Sequence, residues 1–297
     1  MSDFDTEALT LPAADIPDQG AALTFQTTTL SPPPRSLLPW RRWLAQPRWL
    51  SLLTVIALVT LWWLITALQL VPPLFLPSPA AVLGKLHQIA TDGYMDATLW
   101  QHLGASLARI AAALLAAVFT AIPLGILLGR NARARAITDP IIEFYRPLPP
   151  LAYLPLIVIW FGIGELSKIL LIYLAIFAPM VISTTAGVST VAPDCLRAAQ
   201  ALGANPRQLL WYVVLPGALP DILTGIRIGL GVGWSTLVAA ELIAATQGLG
   251  FMVQSAANFL VTDVVVLGIL VIGAVAMGME LLIRALQRRL TPWQGKV

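Results

Sequence analysis

The sequence is poor in the residues on which many soluble enzymes depend. It contains one cysteine and two histidines among 297 residues, and only 11% of its residues are charged, whereas soluble domains carry about 25%. The single cysteine, Cys195, excludes an intrachain disulfide. Neither His87 nor His102 belongs to a Cys/His/Asp cluster with metal-ligand spacing, so we expect no metal site.

A phosphate-binding loop for ATP hydrolysis is also missing. Lysine follows glycine at positions 84–85 and 295–296, but neither pair has the upstream glycine or the following Ser or Thr. Gly229, Gly231 and Gly233 alternate within an apolar run without a preceding strand, which favours helix packing through small residues over dinucleotide binding. We therefore predict a chain that is not an enzyme and holds no cofactor.

Long apolar runs dominate what is present, since 58% of the residues are hydrophobic. A helix needs about 20 apolar residues to cross the hydrocarbon core of a bilayer. The sequence predicts an all-α integral membrane protein with six spans. Prolines interrupt the third of them, and such a span is expected to lie inside the helix bundle. The predicted spans are about 50–70, 104–129, 138–160, 167–190, 218–244 and 263–285.

The distribution of Lys and Arg predicts the orientation of these spans, because cytoplasmic loops carry the excess of positive charge. One side of the membrane receives only Lys85 and Lys168. Both termini and the loop after the fourth span are therefore predicted to be cytoplasmic. The opposite side receives Arg35, Arg41, Arg42, Arg48, Arg130, Arg133, Arg135, Arg197, Arg207, Arg284, Arg288, Arg289 and Lys296.

The segments outside the spans differ in character. Residues 1–35 are acidic and rich in Thr and Pro without an apolar run, which predicts a disordered cytoplasmic tail; residues 36–297 form the predicted membrane domain. Ser78 followed by Pro79 is typical of a helix start, and it predicts a short interfacial helix. A second extracytoplasmic element is expected over 246–262.

The loop after the fourth span carries a spaced motif at 197–216, RAAQALGANPRQLLWYVVLP. Ala198 and Ala199 are followed four residues later by Gly203, and the Leu-Pro pair at 215–216 begins twelve residues beyond Gly203. Alanines allow two backbones to approach closely, and a glycine can end a helix in a left-handed conformation. We expect a short helix here with a small-residue surface, ended before Pro206 because proline cannot continue it.

This spacing resembles the EAA loop of permease subunits in ATP-binding-cassette (ABC) importers. In that family the loop is a cytoplasmic helix that fits a groove on a separate ATPase, and the coupling loop here would span about 191–217. Arg197 stands where the family has Glu, which weakens the inference of a specific salt bridge at that position. The resemblance assigns the coupling role to Asp194, Arg197, Ala198, Ala199, Leu202, Gly203, Leu215 and Pro216.

Ionisable residues inside spans are costly and usually face the bundle interior or a water-filled path. Arg109 and Glu280 lie near span ends, where we expect them to reach the interface. Glu143 and Arg146, three residues apart, are expected to pair. For Arg227 and Glu241 two readings stay open, structural pairing or a polar pathway. With Gly233 nearby, candidate pathway residues are Arg227, Trp234, Ser235, Thr236 and Glu241, although Ser235 and Thr236 equally fit hydroxyls bonded to helix carbonyls.

The resemblance extends over residues 40–297, in stretches such as 93–103, 161–179 and 231–245, and it is to the permeases of taurine importers. It implies a type I importer permease fold in a bacterial inner membrane, working by alternating access. The implied partners are a second copy of the chain, two ATPases that bind ATP and Mg²⁺, and a periplasmic binding protein, with no nucleic acid. Alternatives are another cargo (alkanesulfonate or nitrate), an ATP-independent secondary transporter, or a membrane scaffold or enzyme.

Overall fold

The computed structural model describes residues 47–293, and their regular structure is helical apart from one isolated bridge between Tyr94 and Ala97. This confirms the all-α prediction, while the acidic segment 1–35 lies outside the described residues. The chain divides into two units, Met1–Ile56 and Ala57–Val297, and the interactions discussed below lie within the second. The helices are α1 (Pro47–Ala67), α2 (Pro79–Thr91), α3 (Leu99–Arg130), α4 (Ala132–Tyr145), α5 (Leu154–Phe161), α6 (Glu165–Ser189), α7 (Pro193–Ala201), α8 (Pro206–Leu209), α9 (Leu215–Ala244), α10 (Leu249–Asn258) and α11 (Thr262–Leu290).

Five stretches within 47–293 are long and apolar enough to cross a membrane, so the predicted count of six is not confirmed. The third predicted span, 138–160, is interrupted as expected: α4 ends at Tyr145, and a 3₁₀ turn from Pro150 leads into α5. Prolines at 147, 149 and 150 each lack the N–H that an α-helix needs, which ends the helix there. The five stretches are Trp49–Ala67, Leu99–Arg130, Glu165–Ser189, Pro206–Ile243 and Thr262–Leu290.

Side-chain caps begin α2 and α3. The Ser78 hydroxyl accepts a hydrogen bond from the Ala81 N–H at 3.2 Å, and Pro79 occupies the first position of α2, as predicted. Thr98 and Gln101 form a reciprocal capping box at the start of α3. The capping box sets the residue at which α3 begins. It thereby also sets the positions of the polar residues in the first turns of α3.

The buried core lies where α3, α6 and α9 pack against one another. Glycines allow the close approach of these helices, since a Cβ at Gly233 would lie 2.6 Å from Ile176 Cγ1 and a Cβ at Gly125 would lie 2.6 Å from Thr184 Cβ. Gly229 also faces Ile176, whereas Gly231 meets open space. The prediction that this glycine series serves helix packing is therefore confirmed for two of its three members.

Candidate functional site

The segment between α6 and α9 presents a short exposed helix, α7. Pro193 occupies its first turn beside Asp194, an acidic residue where the helix dipole favours negative charge. Asp194 also forms an exposed ion pair with Arg197, with 3.5 Å between Oδ1 and Nη1. Arg197 thus pairs within its own helix, and the small side chain of Ala198 remains exposed beside it.

Gly203 ends this helix as the sequence predicts. Its φ is +84°, and the Ala204 N–H donates to the Ala199 carbonyl at 3.1 Å, closing a left-handed helix end. Leu202, just before the turn, is 89% exposed. Asn205 then caps α8, so the chain reverses within a few residues. An apolar side chain and a small-residue face are thereby both left exposed on the segment between α6 and α9.

The connection from this segment to α9 is a π-helical turn over Leu210–Val214. Pro216 has no N–H to donate to the carbonyl four residues earlier, which favours the wider turn at this point. Leu215 and Pro216 form the first turn of α9. Val214, Ala218 and Ile222 pack with Val188 in a buried cluster. The predicted Leu-Pro pair therefore ties the exposed segment to the membrane helix that follows.

Among the predicted pathway residues, Arg227, Trp234 and Ser235 line one cavity of about 250 Å³ between α9 and α11. Arg227 Nε donates to Glu280 Oε1 at 2.5 Å, and Arg284 Nε donates to the same oxygen at 2.7 Å. Glu280 therefore bridges two arginines, a pairing that the sequence did not predict.

The hydroxyls of Ser235 and Thr236 bond back to helix carbonyls. Ser235 Oγ donates to Gly231 O at 3.3 Å, and Thr236 Oγ1 donates to Val232 O at 2.9 Å. Thr236 is buried, and Trp234 is buried with an indole N–H that has no partner among the described residues. The second of the two readings of these hydroxyls, bonding within the helix, is the one observed.

A buried polar cluster joins α3, α6 and α9, and Arg109 of α3 is its centre. Arg109 is 4% exposed, so the prediction that it reaches the interface is wrong. Its Nε and Nη2 donate to the two carboxylate oxygens of Glu165, at 2.6 and 2.9 Å. Its Nη1 donates to Glu241 Oε1 at 2.6 Å and to the Gln247 carbonyl at 2.7 Å. Lys168 adds a second cation at 2.7 Å from Glu165.

Glu241 of α9 is fully buried and holds the turn that follows its helix. Its carboxylate accepts from Ser106 Oγ at 2.8 Å and from the Gly250 N–H at 2.9 Å. Ser106 Oγ accepts from the Leu249 N–H, and His102 Nδ1 accepts from the Gly248 N–H. His102 Nε2 therefore carries the proton and donates to the Tyr94 carbonyl. The cluster comprises His102, Ser106, Arg109, Glu165, Lys168 and Glu241.

Arg227 and Glu241 both form ion pairs, with Glu280 and Arg109 respectively, as the structural reading predicts. Glu143 and Arg146 form no ion pair among the described residues, and both are exposed. Sequence reasoning missed His102 and Ser106, although their spacing with Arg109 (i, i+4, i+7) places three polar residues on one helix face.

Comparisons with known proteins agree on the kind of protein this chain resembles. Residues 121–293 match the family described as the binding-protein-dependent transport system inner membrane component. The chain is 69% identical over 226 residues to the taurine transport system permease protein TauC of Escherichia coli (strain K12), which covers 76% of this chain and 82% of that protein. It is 36% identical over 220 residues to the putative aliphatic sulfonates transport permease protein SsuC of Bacillus subtilis (strain 168), covering 74% and 78%.

A solved structure shows the same fold. A chain of the MetNI methionine ABC transporter, in an inward-facing conformation, superposes with a TM-score of 0.53 over 63% of this chain and 95% of that chain. The two sequences are 20% identical. The similarity confirms the predicted importer permease fold.

Proposed function

Because the chain belongs to the binding-protein-dependent transport system inner membrane components, we propose that it is the permease subunit of an ATP-driven taurine importer. It is a multi-pass component of the inner membrane. The assignment of taurine as the cargo rests on the 69% identity to a taurine permease, over more than four-fifths of that protein. Membership in this family removes the alternatives of a secondary transporter and of a membrane enzyme.

The exposed segment around α7 supports coupling to a separate ATPase. Ala198 offers a surface that another backbone can approach closely, and Leu202 offers an exposed apolar anchor. Arg197, at the position where the family has Glu, forms an ion pair with Asp194 of the same helix. The π-helical turn and the buried contacts of Val214 carry a displacement of this segment into α9.

Transport would proceed by alternating access between two states of a dimeric bundle. Two copies of the chain and two ATPases that bind ATP and Mg²⁺ form the transporter, and a periplasmic protein delivers the solute. Closure of the ATPases moves the coupling helices and favours the outward-open state, and hydrolysis restores the inward-open one. ATP and the loaded binding protein act by their different affinities for the two states.

The experiment that tests this proposal measures ATPase activity of the assembled complex in nanodiscs, with and without taurine. We expect stimulation that requires the loaded binding protein and is lost in Ala198→Trp, because the bulky indole prevents close approach of the ATPase. Ala136→Trp, at an exposed alanine of α4 outside the coupling segment, should retain stimulation. Failure to associate with any ATPase would refute the proposal.

A different cargo is the second candidate, and the identity to an aliphatic sulfonate permease favours it. Both cargoes carry a sulfonate, so the coupling argument is unchanged. Stimulation by an alkanesulfonate-loaded binding protein but not by a taurine-loaded one would keep the mechanism and replace the cargo.

A further inference from the structure

The third predicted span is broken between α4 and α5, at Arg146 to Pro149. Three of the five residues from 146 to 150 are prolines and donate no hydrogen bond. Within residues 47–293, no donor bonds the carbonyls of Arg146, Pro147 or Leu148. The break therefore leaves a short run of free carbonyl oxygens next to an arginine.

This break lies at the middle depth of the bundle. It lines a cavity of about 310 Å³ whose other walls are α6 residues between Leu174 and Ser183 and the α9 residues Ile228 and Val232. Those residues occupy the middle of helices that span 165–189 and 215–244. Irregular backbone at membrane depth is tolerated where it is buried in protein or lines a water-filled cavity. Arg146 and Leu148 are exposed in this chain, so burial in protein does not explain the irregular backbone. The other tolerated environment, a cavity, does.

Besides the free carbonyls of the break, the cavity wall carries two polar side chains that can donate and have no partner within residues 47–293, Arg146 and Ser183. The guanidinium of Arg146 forms no ion pair within the described residues, and Glu143, one turn earlier, forms none with it. The hydroxyl of Ser183 on the facing wall also forms no hydrogen bond there. By contrast, Tyr145 donates to the Leu174 carbonyl at 2.8 Å and contacts the Tyr153 hydroxyl at 3.0 Å, which fixes both rings as a wall.

We propose that this mid-membrane cavity holds the anionic group of the transported solute during its passage, with Arg146 as counter-ion and Ser183 as a second donor. A guanidinium presents a planar fork of donors that matches an oxyanion such as a sulfonate. A charge at membrane depth is costly and marks functional positions in membrane helices. The inference rests on the proposed function for its cargo, and it adds a solute contact within the permease itself.

The first test measures taurine uptake and ATPase activity together, in proteoliposomes containing the full complex. Arg146→Gln should lower uptake about tenfold, the loss expected for one charge-assisted contact, while ATPase stimulation by the loaded binding protein persists. Arg146→Lys should restore part of the uptake. The matched control is Arg135→Gln on the preceding helix α4, outside the cavity, which should transport normally. Wild-type uptake by Arg146→Gln would overturn the site, whereas no uptake by the wild type would instead refute the proposed cargo.

The second test needs no transport and therefore separates the two proposals. Ser183→Cys in a Cys195→Ser background is labelled with two methanethiosulfonates of similar size, one carrying a 2-sulfonatoethyl group and one a trimethylammonioethyl group. The native Cys195, which is exposed, supplies the reference ratio of the two rates. We expect the sulfonate to be favoured about tenfold over that reference, and the preference to vanish when Arg146→Gln is added. An unchanged ratio, or a thiol that reacts with neither reagent, would overturn the site.

Discussion

Glu241 and Glu280 show how the surroundings of a carboxylate decide its role inside a membrane protein. Glu241 is fully buried and meets a guanidinium, a hydroxyl and a backbone N–H, so that it organises the turn over 247–250. Glu280 lies between two arginines at the edge of an open cavity. A buried and fully bonded charge stabilises one conformation, whereas a partly open pair can exchange partners with solvent or solute.

Removing the Glu241 carboxylate should destabilise the protein strongly. Glu241→Ala leaves the Ser106 hydroxyl and the Gly250 N–H without their acceptor, and breaking a buried pair costs about 3–5 kcal/mol. Thermal unfolding of the purified protein in detergent measures the loss.

The matched control for this change is Asp139→Ala, which removes an exposed ion pair with Arg135. Exposed i, i+4 pairs are worth about 0.3–0.5 kcal/mol, so the melting temperature should hardly move. Equal shifts for the two variants would contradict a structural role for the buried cluster. The double variant Arg109→Met, Glu241→Leu should lose less than the sum of its single changes, because it leaves no unpaired charge between α3 and α9.

The sequence predicted which residues at this scale were unusual but not their partners. Glu241 and Arg227 were recognisable as ions inside an apolar run, whereas their pairing with Arg109 and Glu280 depends on which helices become neighbours. Periodicity within one helix carries no information on that. The sequence of α3 alone places His102, Ser106 and Arg109 on one helix face. The carboxylate that accepts from Ser106 belongs to Glu241, more than a hundred residues away in the chain.

At the scale of elements, sequence reasoning describes α7 better than it describes the third predicted span, 138–160. The end of α7 depends on local chemistry, a glycine with positive φ followed by a proline, and the motif predicted it. The third predicted span depends on how several prolines act together within an apolar run, and the sequence predicted the interruption but not the two separate helices. The prolines that signalled the interruption also set the place where α4 ends.

Gly203→Ala should weaken binding of the ATPase through the backbone alone. A Cβ there meets no atom within 4 Å, so the cost comes from the φ of +84° and is about 1 kcal/mol. This corresponds to about a fivefold loss of affinity in a titration of the permease with the ATPase. Gly203→Asn should lose less, because asparagine tolerates the left-handed region.

The control for that prediction is Gly84→Ala in α2, where a Cβ also meets open space but φ is not positive. Its affinity for the ATPase should equal that of the wild type. If Gly203→Ala binds equally well, the left-handed end of α7 is not required for docking.

For the whole molecule, the buried core belongs to α3, α6 and α9, while α1 and α11 expose large apolar side chains along much of their length. Such faces suit lipid or a second copy of the chain. Composition and charge distribution predicted the membrane environment and the helical fold. They could not distinguish the exposed faces that contact lipid from those that contact another subunit.

The acidic segment at the N-terminus should be dispensable for transport. Deleting residues 2–34 removes an acidic stretch without an apolar run, which has no surface to contribute to a packed core. Uptake and ATPase stimulation in proteoliposomes should both stay at wild-type levels. A marked change in the number of ATP molecules hydrolysed per solute would show instead that this segment regulates coupling.

The break between α4 and α5 also bears on biosynthesis. A segment that enters the bilayer alone needs about 20 apolar residues, but α5 has eight, and α4 carries Arg133, Arg135, Asp139 and Glu143. We therefore expect this segment to enter the lipid together with α6, which is apolar and long enough to insert by itself. On that expectation the translocon releases the two as a hairpin, and the depth of α5 is set by folding after insertion.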